Sequence, residues 1–277
     1  MSLVWLNGDL LQAEEAKISV LDRGFTLGDG LFETMRAYGG RIFRLHEHLL
    51  RLERSAGRIG LPLPSGLAEA VRETVSANGI SEAAVRLTVS RGSAPPGLEL
   101  PESVEPTCVI TARPAPEPPA SVRAGIASGR LNEHAMTAGL KLLGYLNFIV
   151  ALREARSAGY DDALLLDTAG HLAEGAASNL FVVAGGVLRT PPLDCGVLPG
   201  ITRAAVLEIG SRLDRPVSEE SLEPAILDTA EEAFMTSTLR EVVPLVALDG
   251  RAVGKGVPGP ITRRIQEVYA ELARSHK

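Results

Sequence analysis

The chain has 277 residues, with a hydrophobic share of 45% and a charged share of 22%, which are ordinary values for a globular protein. Disorder, collagen and coiled coil are therefore excluded for the chain as a whole. The formal net charge of −6 argues against a nucleic-acid-binding protein, because such proteins carry a basic surplus. The sequence has two cysteines, Cys108 and Cys195, which predicts a protein without disulfides. It shows no basic leader and no long apolar run, and therefore predicts a cytoplasmic protein without a membrane segment.

The first half of the chain predicts a mixture of strands and helices. Apolar residues three and four positions apart indicate helices, and period-two alternation indicates strands. Asn7-Gly8 is typical of a tight turn after a strand, and Gly60 is typical of a helix end. The predicted elements are a strand over 4–6, helices over 43–59 and 67–77, and strands over 85–89 and 107–112.

A proline-rich segment divides the chain. Four prolines fall within 114–121, and such a composition predicts a stiff connector. The sequence thus predicts an N-terminal domain over 1–113, a linker over 114–121 and a C-terminal domain over 122–277. The second domain is predicted to contain strands over 122–127, 163–166, 180–183, 234–236 and 242–246 and helices over 143–158, 200–213 and 261–273.

Three local patterns suit an anion. A loop that ends in Gly200 opens a helix, and the unpaired N–H groups and dipole of a helix start favour a phosphate. Ser237 and Thr238 offer hydroxyls where an apolar strand ends. Arg51 lies in the first long helix and carries the forked donor that phosphates prefer. Taken singly, an ordinary capped helix, a turn and a solvent-facing arginine are the more common explanations of these patterns.

Lys141 and Glu174 are the candidates for covalent and acid–base chemistry. Lys141 is the only charged side chain between Glu133 and Arg153, and desolvation makes a lysine amine nucleophilic toward aldehydes. A lysine with its amine in water fits the same pattern. Glu174 stands among small residues, where a carboxylate can approach a flat ligand. No metal site is predicted, because 46–48 lacks the i, i+4 histidine spacing of a zinc helix.

In chain order, these pieces form a specific set: a helical arginine, a lysine in apolar surroundings, E-G-x-x-S-N, L-x-G-I-T-R and T-S-T. This set resembles the class IV, or fold type IV, pyridoxal-phosphate enzymes, and the likeness extends from 22–33 to 241–245. The resemblance implies an α+β or α/β protein with a smaller N-terminal and a larger C-terminal α/β domain. It also implies pyridoxal 5′-phosphate as cofactor and a homodimer whose active site lies near the interface.

The resemblance also implies roles for individual residues. Lys141 matches the lysine that forms the Schiff base and moves protons, and Glu174 matches the carboxylate that keeps the pyridine nitrogen protonated. The positions that match contacts to the phosphate and the ring are Arg51, Leu198, Ile201, Thr202, Ser237 and Thr238. The positions that match the substrate side are Phe32, Tyr145 and Arg240, with Arg91 a second candidate for the substrate carboxylate.

The implied activity is transfer of an amino group from an amino acid to a 2-keto acid, of the D-amino acid or branched-chain type. Tyr145, four residues after the lysine, resembles the D-amino acid aminotransferase and lyase branch, whereas 236–242 resembles the transaminases. The alternative is an aminodeoxychorismate lyase that forms 4-aminobenzoate and pyruvate and needs no keto-acid acceptor. A non-enzymatic α/β module that resembles the family by accident would bind no chromophore.

Overall fold

The computed structural model describes residues 2–213 and 215–275, and these form two compact units. The first and smaller unit comprises 2–116 and 140–144, and the second comprises 117–139 and 145–275. The chain first leaves unit one inside the proline-rich segment, between 116 and 117. Residues 1, 214, 276 and 277, which fall within the predicted domains, lie outside the described residues.

The first unit is built around a six-stranded sheet in which every pairing is antiparallel. The strand order is β2-β1-β6-β5-β3-β4. Its elements are β1 (Leu3–Leu6), β2 (Asp9–Gln12), α1 (Arg23–Leu27), β3 (Gly30–Tyr38), β4 (Arg41–Ile42), α2 (Leu45–Ile59), α3 (Leu67–Asn78), β5 (Ala83–Ser90) and β6 (Thr107–Pro114). The predicted helices over 43–59 and 67–77 and the predicted strands are confirmed.

Strand β3 is the longest element of this unit that the sequence did not predict. Eight of its nine residues are buried, so neither face supplies the polar half of an alternating pattern. The buried residues include two charged side chains, Glu33 and Arg36. Leu52 of α2 and Val71 of α3 belong to the same buried apolar core as Leu31 and Met35 of β3. A strand buried in this way can hold a charged group in fixed surroundings.

The second unit contains a nine-stranded mixed sheet in the order β12-β11-β10-β13-β14-β7-β8-β9, with β15 paired to β14. Because β9 pairs with both β8 and β10, six of these strands close into a ring. The elements are β7 (Val122–Arg130), α4 (Leu146–Ser157), β8 (Asp162–Leu166), β9 (Leu172–Gly175), β10 (Ser178–Ala184), β11 (Val187–Thr190), α5 (Ile201–Arg212), β12 (Val217–Glu219), α6 (Ile226–Thr229), β13 (Glu232–Ser237), β14 (Glu241–Leu248), β15 (Arg251–Ala252) and α7 (Pro260–Ser275).

The segment 140–144 departs from the prediction, which placed it in the second domain and began a helix at 143. It packs instead with the first unit, and α4 begins only at Leu146. Leu142 forms an isolated antiparallel bridge with Leu31. Backbone hydrogen bonds to β3 take the place of helical ones, so this part of the chain is extended. Within the described ranges, no helix is long and apolar enough to cross a membrane.

Candidate active site

Lys141 is held against β3 by its own backbone. The N–H of Phe32 donates to the carbonyl of Lys141 at 3.0 Å, and the N–H of Leu143 donates to the carbonyl of Gly30 at 3.1 Å. A side chain at Gly30 would have its Cβ 2.5 Å from the carbonyl oxygen of Val89 and 2.7 Å from a methyl group of Leu143. Gly30 therefore permits close packing of β3 against β5 and against the Leu143 side chain.

The side chain of Phe32 brings two cationic groups together. The Nζ atom of Lys141 lies 4.4 Å from the centroid of the Phe32 ring, and Cζ of Arg86 lies 3.7 Å from the same centroid. Both distances are within the range of a cation–π contact. Lys141 is half-buried, Phe32 is buried and Arg86 is exposed. The structure thus joins two predicted site residues, Phe32 and Lys141, to an arginine that the sequence analysis did not select.

Arg51 is buried in α2 and forms a two-pronged ion pair with Glu33. Its Nε and Nη2 atoms donate to the two carboxylate oxygens at 2.8 and 2.6 Å. His48, fully buried one helical turn earlier, shares the carboxylate through Nδ1 at 2.7 Å. Arg51 was predicted to contact a phosphate, and the structure adds that its guanidinium is oriented by a carboxylate of β3. Such forked pairs fix the plane of the guanidinium.

The charges in this cluster follow from its geometry. Burial alone would raise the pKa of Glu33, but the Arg51 guanidinium and the hydrogen bond from His48 lower it to about 2. Burial lowers the pKa of His48, against the opposing effect of Glu33. His48 is therefore neutral at pH 7 and donates from Nδ1, whereas Glu33 and Arg51 are both ionised.

In the second unit, Glu174 of β9 is held by amide groups. Its Oε2 atom accepts from the backbone N–H of Leu198 at 2.9 Å and from the side-chain amide of Asn179 at 3.3 Å. The same amide nitrogen donates to the carbonyl of Leu198 at 2.9 Å. Asn179 stands directly opposite Glu174 in the pairing of β9 with β10. The structure thus brings Glu174 and Leu198, both predicted site residues, into one hydrogen-bonded group.

The start of α5 adjoins that group. Gly200 occupies the N-cap position and supplies no side-chain hydrogen bond to the helix. A Cβ at Gly200 would lie 2.0 Å from Oδ1 of Asn179, so a larger residue would displace the amide. Ile201 and Thr202 are the first two helical residues and are buried, with the Thr202 hydroxyl 3.5 Å from that of Tyr269. The predicted anion site is thus a helix start without a side-chain cap.

The hydroxyls of Ser237 and Thr238 lie at the end of β13, which pairs with β10. In that pairing Thr236 stands opposite Asn179, and Thr236 Oγ1 is buried with no hydrogen-bond partner among the described residues. Ser237 and Thr238 are both half-buried. The strand order β9-β10-β13 therefore explains how residues so far apart in sequence end at neighbouring positions.

Three predicted substrate residues have defined surroundings. Tyr145 precedes α4, with its ring 4.8 Å from that of Phe148. Arg240 forms an ion pair with the buried carboxylate of Asp162 at 2.5 Å. Arg91 is bound to Asp29 and to two carbonyl groups that end α2. Arg91 is therefore a structural residue, while the substrate roles of Tyr145 and Arg240 stay predictions.

Several residues of these groups could not be selected from the sequence. Glu33 lies in an unpredicted strand, and His48 belongs to the 46–48 segment, which lacks the spacing of a metal site. Asn179 was present only as the last letter of the E-G-x-x-S-N motif. Arg86 lies on the polar side of the alternating pattern over 85–89, but its contact with Phe32 depends on the pairing of β5 with β3, which that pattern does not specify.

Comparison with known proteins places the chain in a family. A model of the class IV amino-transferases matches residues 30–248. The putative branched-chain-amino-acid aminotransferase of Methanocaldococcus jannaschii is 37% identical, over 97% of this chain and 96% of that protein. The D-alanine aminotransferase of Staphylococcus haemolyticus is 33% identical, over 99% of both chains. The structure of the branched-chain aminotransferase from Thermoproteus uzoniensis with norvaline has a TM-score of 0.93 and 38% identity, over 99% of this chain and 96% of that one.

The chain belongs to the class IV aminotransferases and has their two-domain fold. It is a pyridoxal-phosphate-dependent transaminase. The residues present fit that cofactor, because the first turn of α5 has no side-chain cap and Thr236 carries a buried hydroxyl without a partner among the described residues. An arginine, a helix start and hydroxyls suit a phosphate dianion, and a lysine amine suits an aldehyde.

Proposed function

We propose that this transaminase takes branched-chain amino acids as amino donors and returns the amino group to a 2-keto acid. The observation that supports a lysine-based reaction at this site is the contact of Lys141 with Phe32, 4.4 Å from Nζ to the ring centroid. The preference for branched-chain donors is supported by the similarity to the Methanocaldococcus jannaschii relative and to the Thermoproteus uzoniensis structure.

Lys141 is proposed as the residue that binds the cofactor and moves the proton. Pyridoxal phosphate supplies an aldehyde for the amine and an electron sink for the carbanion. Nζ of Lys141 would remove the proton from the substrate α-carbon and hold it. The backbone bonds between 141–143 and β3 would keep the lysine in position during this transfer.

Glu174 is proposed to bind the pyridinium N–H of the cofactor. The N–H of Leu198 and the amide of Asn179 orient its carboxylate, so a cationic nitrogen meets a fixed negative charge. The proposed phosphate ligands are Arg51, Ile201, Thr202, Ser237 and Thr238, with Leu198 against the ring. Glu33 and His48 fix the guanidinium of Arg51 by their hydrogen bonds.

The proposed substrate contacts are Phe32 and Tyr145, with Arg86 as the cation for the substrate carboxylate. Arg86 and Lys141 contact the same ring, and an amino acid carries its carboxylate next to the reacting amine. Substitution of Arg86 by Gln is expected to raise the KM for the amino acid about tenfold with little change in cofactor affinity. Arg240, which the sequence predicted for a substrate contact, stays a prediction in that role.

A homodimer is proposed for the assembly and the cytoplasm for its location. A run of apolar side chains on unit one is exposed, and monomeric proteins rarely present such surfaces. These residues are Ile18, Val20, Leu21, Phe25 and Leu27. Sedimentation should give twice the mass of one chain, 29.3 kDa, and Phe25→Asp should halve it. The two buried free thiols, Cys108 and Cys195, suit a reducing compartment.

The test of the proposed function is the visible spectrum of the purified holoenzyme with single amino donors and no acceptor. L-leucine should bleach the yellow band, and addition of a 2-keto acid should restore it. Bleaching by D-alanine but not by L-leucine would assign a D-amino acid enzyme. A band that ignores L-leucine, D-alanine and L-glutamate, with aminodeoxychorismate consumed without acceptor, would assign the lyase.

A further inference from the structure

The turn between β13 and β14 follows one proposed phosphate ligand, Ser237, and contains another, Thr238. Ser237 and Glu241 are paired in register, so the three residues 238–240 make the turn. Glu241 has a φ of 59°, a left-handed conformation that residues other than glycine rarely adopt. A conformation of this kind persists only where neighbouring contacts hold it.

Arg240 supplies such contacts in two directions. Its backbone N–H donates to the hydroxyl of Ser237 at 3.3 Å, inside the turn. Its guanidinium Nη1 donates to Oδ2 of Asp162 at 2.5 Å, at the start of β8. The turn is therefore tied to β8, which pairs with neither β13 nor β14, since β7 lies between β14 and β8 in the strand order.

Asp162 is a dependable anchor for this tie. Its side chain is 2% exposed, and its other oxygen accepts the backbone N–H of Ala163 at 2.8 Å. A buried carboxylate requires a partner of opposite charge, because desolvation without one is costly. Arg240, whose side chain is 30% exposed, provides that charge. The ion pair in turn restricts the motion of the Arg240 side chain.

We propose that Arg240 is a positioning residue, which acts through its ion pair with Asp162 to hold the Ser237–Thr238 hydroxyls in the orientation that binds the cofactor phosphate. This inference rests on the proposed function, because it assumes that these hydroxyls contact the phosphate. It differs from the role predicted from sequence, in which Arg240 contacts the substrate. Asp162 is too buried to contact the cofactor phosphate or the substrate, so its effect must pass through Arg240.

The test compares Arg240→Gln, Asp162→Asn and the double variant with the wild-type holoenzyme. The control is Arg189→Gln, since Arg189 of β11 pairs with Glu220 in the same unit, and β10 lies between β11 and β13 in the sheet. Pyridoxal phosphate affinity is measured from the visible band during dilution and re-addition, and inorganic phosphate serves as a competitor. KM for L-leucine is measured at saturating cofactor.

Each single variant is expected to weaken pyridoxal phosphate binding about tenfold, and the double variant no further, because the two residues act as one unit. Inorganic phosphate should compete more weakly by a similar factor, the KM for L-leucine should stay within about twofold, and Arg240→Lys should recover part of the affinity. Thermal unfolding of each variant checks that Asp162→Asn remains folded, and Arg240→Lys carries the test if it does not.

Unchanged cofactor affinity in Arg240→Gln, or a raised KM for L-leucine in that variant alone, would overturn the positioning role. Additive losses in the double variant would overturn it as well. A wild-type protein that binds no pyridoxal phosphate would instead contradict the proposed function, so the two failures are distinguishable.

Discussion

Two buried glutamates, one in each unit, are held by different chemistry. Glu33 is fixed by the charged guanidinium of Arg51 and by His48, at 2.6 to 2.8 Å. Glu174 accepts hydrogen bonds from the amide groups of Leu198 and Asn179, at 2.9 and 3.3 Å. The first arrangement balances a charge within the core, and the second orients a charge.

A charged partner and dipolar partners suit a carboxylate to different tasks. A guanidinium that uses two donors on Glu33 gains a fixed plane, and the carboxylate that fixes it is committed to that task. Dipolar donors orient a carboxylate while leaving it negatively charged, as recognition of a ligand cation requires. We therefore expect Glu33 to matter mainly for stability and Glu174 mainly for catalysis.

The first prediction concerns the contribution of Glu33 to stability. Glu33→Gln should lower the free energy of unfolding by about 3–5 kcal/mol, because the buried guanidinium of Arg51 loses its counter-charge. Urea unfolding of the two proteins measures the difference. The control is Glu69→Gln, whose pair with Arg72 is exposed and should be worth less than about 1 kcal/mol. Equal losses of unfolding free energy in Glu33→Gln and Glu69→Gln would contradict a special structural role for the buried pair.

Glu174→Gln tests the proposed role of Glu174 as the partner of the cofactor's ring nitrogen. A glutamine keeps an acceptor for the N–H of Leu198, so the free energy of unfolding should change by less than about 1 kcal/mol. The loss of charge should lower kcat about 10²–10³-fold at saturating cofactor. Steady-state kinetics with L-leucine and a 2-keto acid measure this change. A kcat close to that of the wild type would show that Glu174 is not the ring-nitrogen partner.

Acid unfolding sharpens the assignment of charge to Glu33. Its pKa is about 2 in the folded protein against an ordinary 4.5, so its contribution to stability is present above pH 4.5 and is lost as the pH falls toward 2. The wild type should lose on the order of 3 kcal/mol more than Glu33→Gln across this interval. Parallel pH profiles of unfolding for the two proteins would contradict the ion pair.

His48 should contribute in a higher pH range. Its pKa is lowered by burial, so the unfolded chain takes up a proton at a pH where the folded protein does not. Stability should therefore fall as the pH drops below about 6.5 and be retained above it. Histidine NMR shifts of the folded protein should show one ring that stays neutral below that pH, and a ring titrating at or above it would contradict the buried neutral state.

The smallest expected effect concerns the orientation of Glu174. Asn179→Ala removes one of its donors and leaves the carboxylate in place, so kcat should fall about tenfold and stability by about 1 kcal/mol. Gly200→Ala should have a similar effect, because its Cβ would meet Oδ1 of Asn179 at 2.0 Å. If Asn179→Ala lowers kcat as much as Glu174→Gln, orientation and charge are equally important.

Local patterns predicted much of the fold and part of the site. The periodicity of α2 and α3, the glycine-led loop before α5 and the apolar runs of β13 and β14 are properties of short segments, so those elements could be predicted. Glu33 could not, because β3 is buried on both faces and has no alternation. The pairing of Asp162 with Arg240 joins residues 78 positions apart, and no local pattern encodes such a contact.

For Lys141, the sequence predicted a role but not its placement in the fold. Its apolar surroundings made it a candidate, and the family resemblance gave it a role. Its placement depends on 141–143 running along β3, a contact made by backbone hydrogen bonds between residues far apart in the sequence. The sequence instead predicted a helix that begins at 143, since the apolar residues there continue the helical spacing. Tertiary hydrogen bonds to β3 override that local preference.

The measurement that tests the account most directly locates the cofactor on the chain. The four lysines are Lys17, Lys141, Lys255 and Lys277, so borohydride reduction of the yellow holoenzyme followed by peptide mass spectrometry gives an unambiguous position. We expect a phosphopyridoxyl group on Lys141, none on the exposed Lys255, and no yellow band in Lys141→Ala. A reduced adduct at another lysine, or an unaltered yellow band in Lys141→Ala, would contradict the role proposed for Lys141.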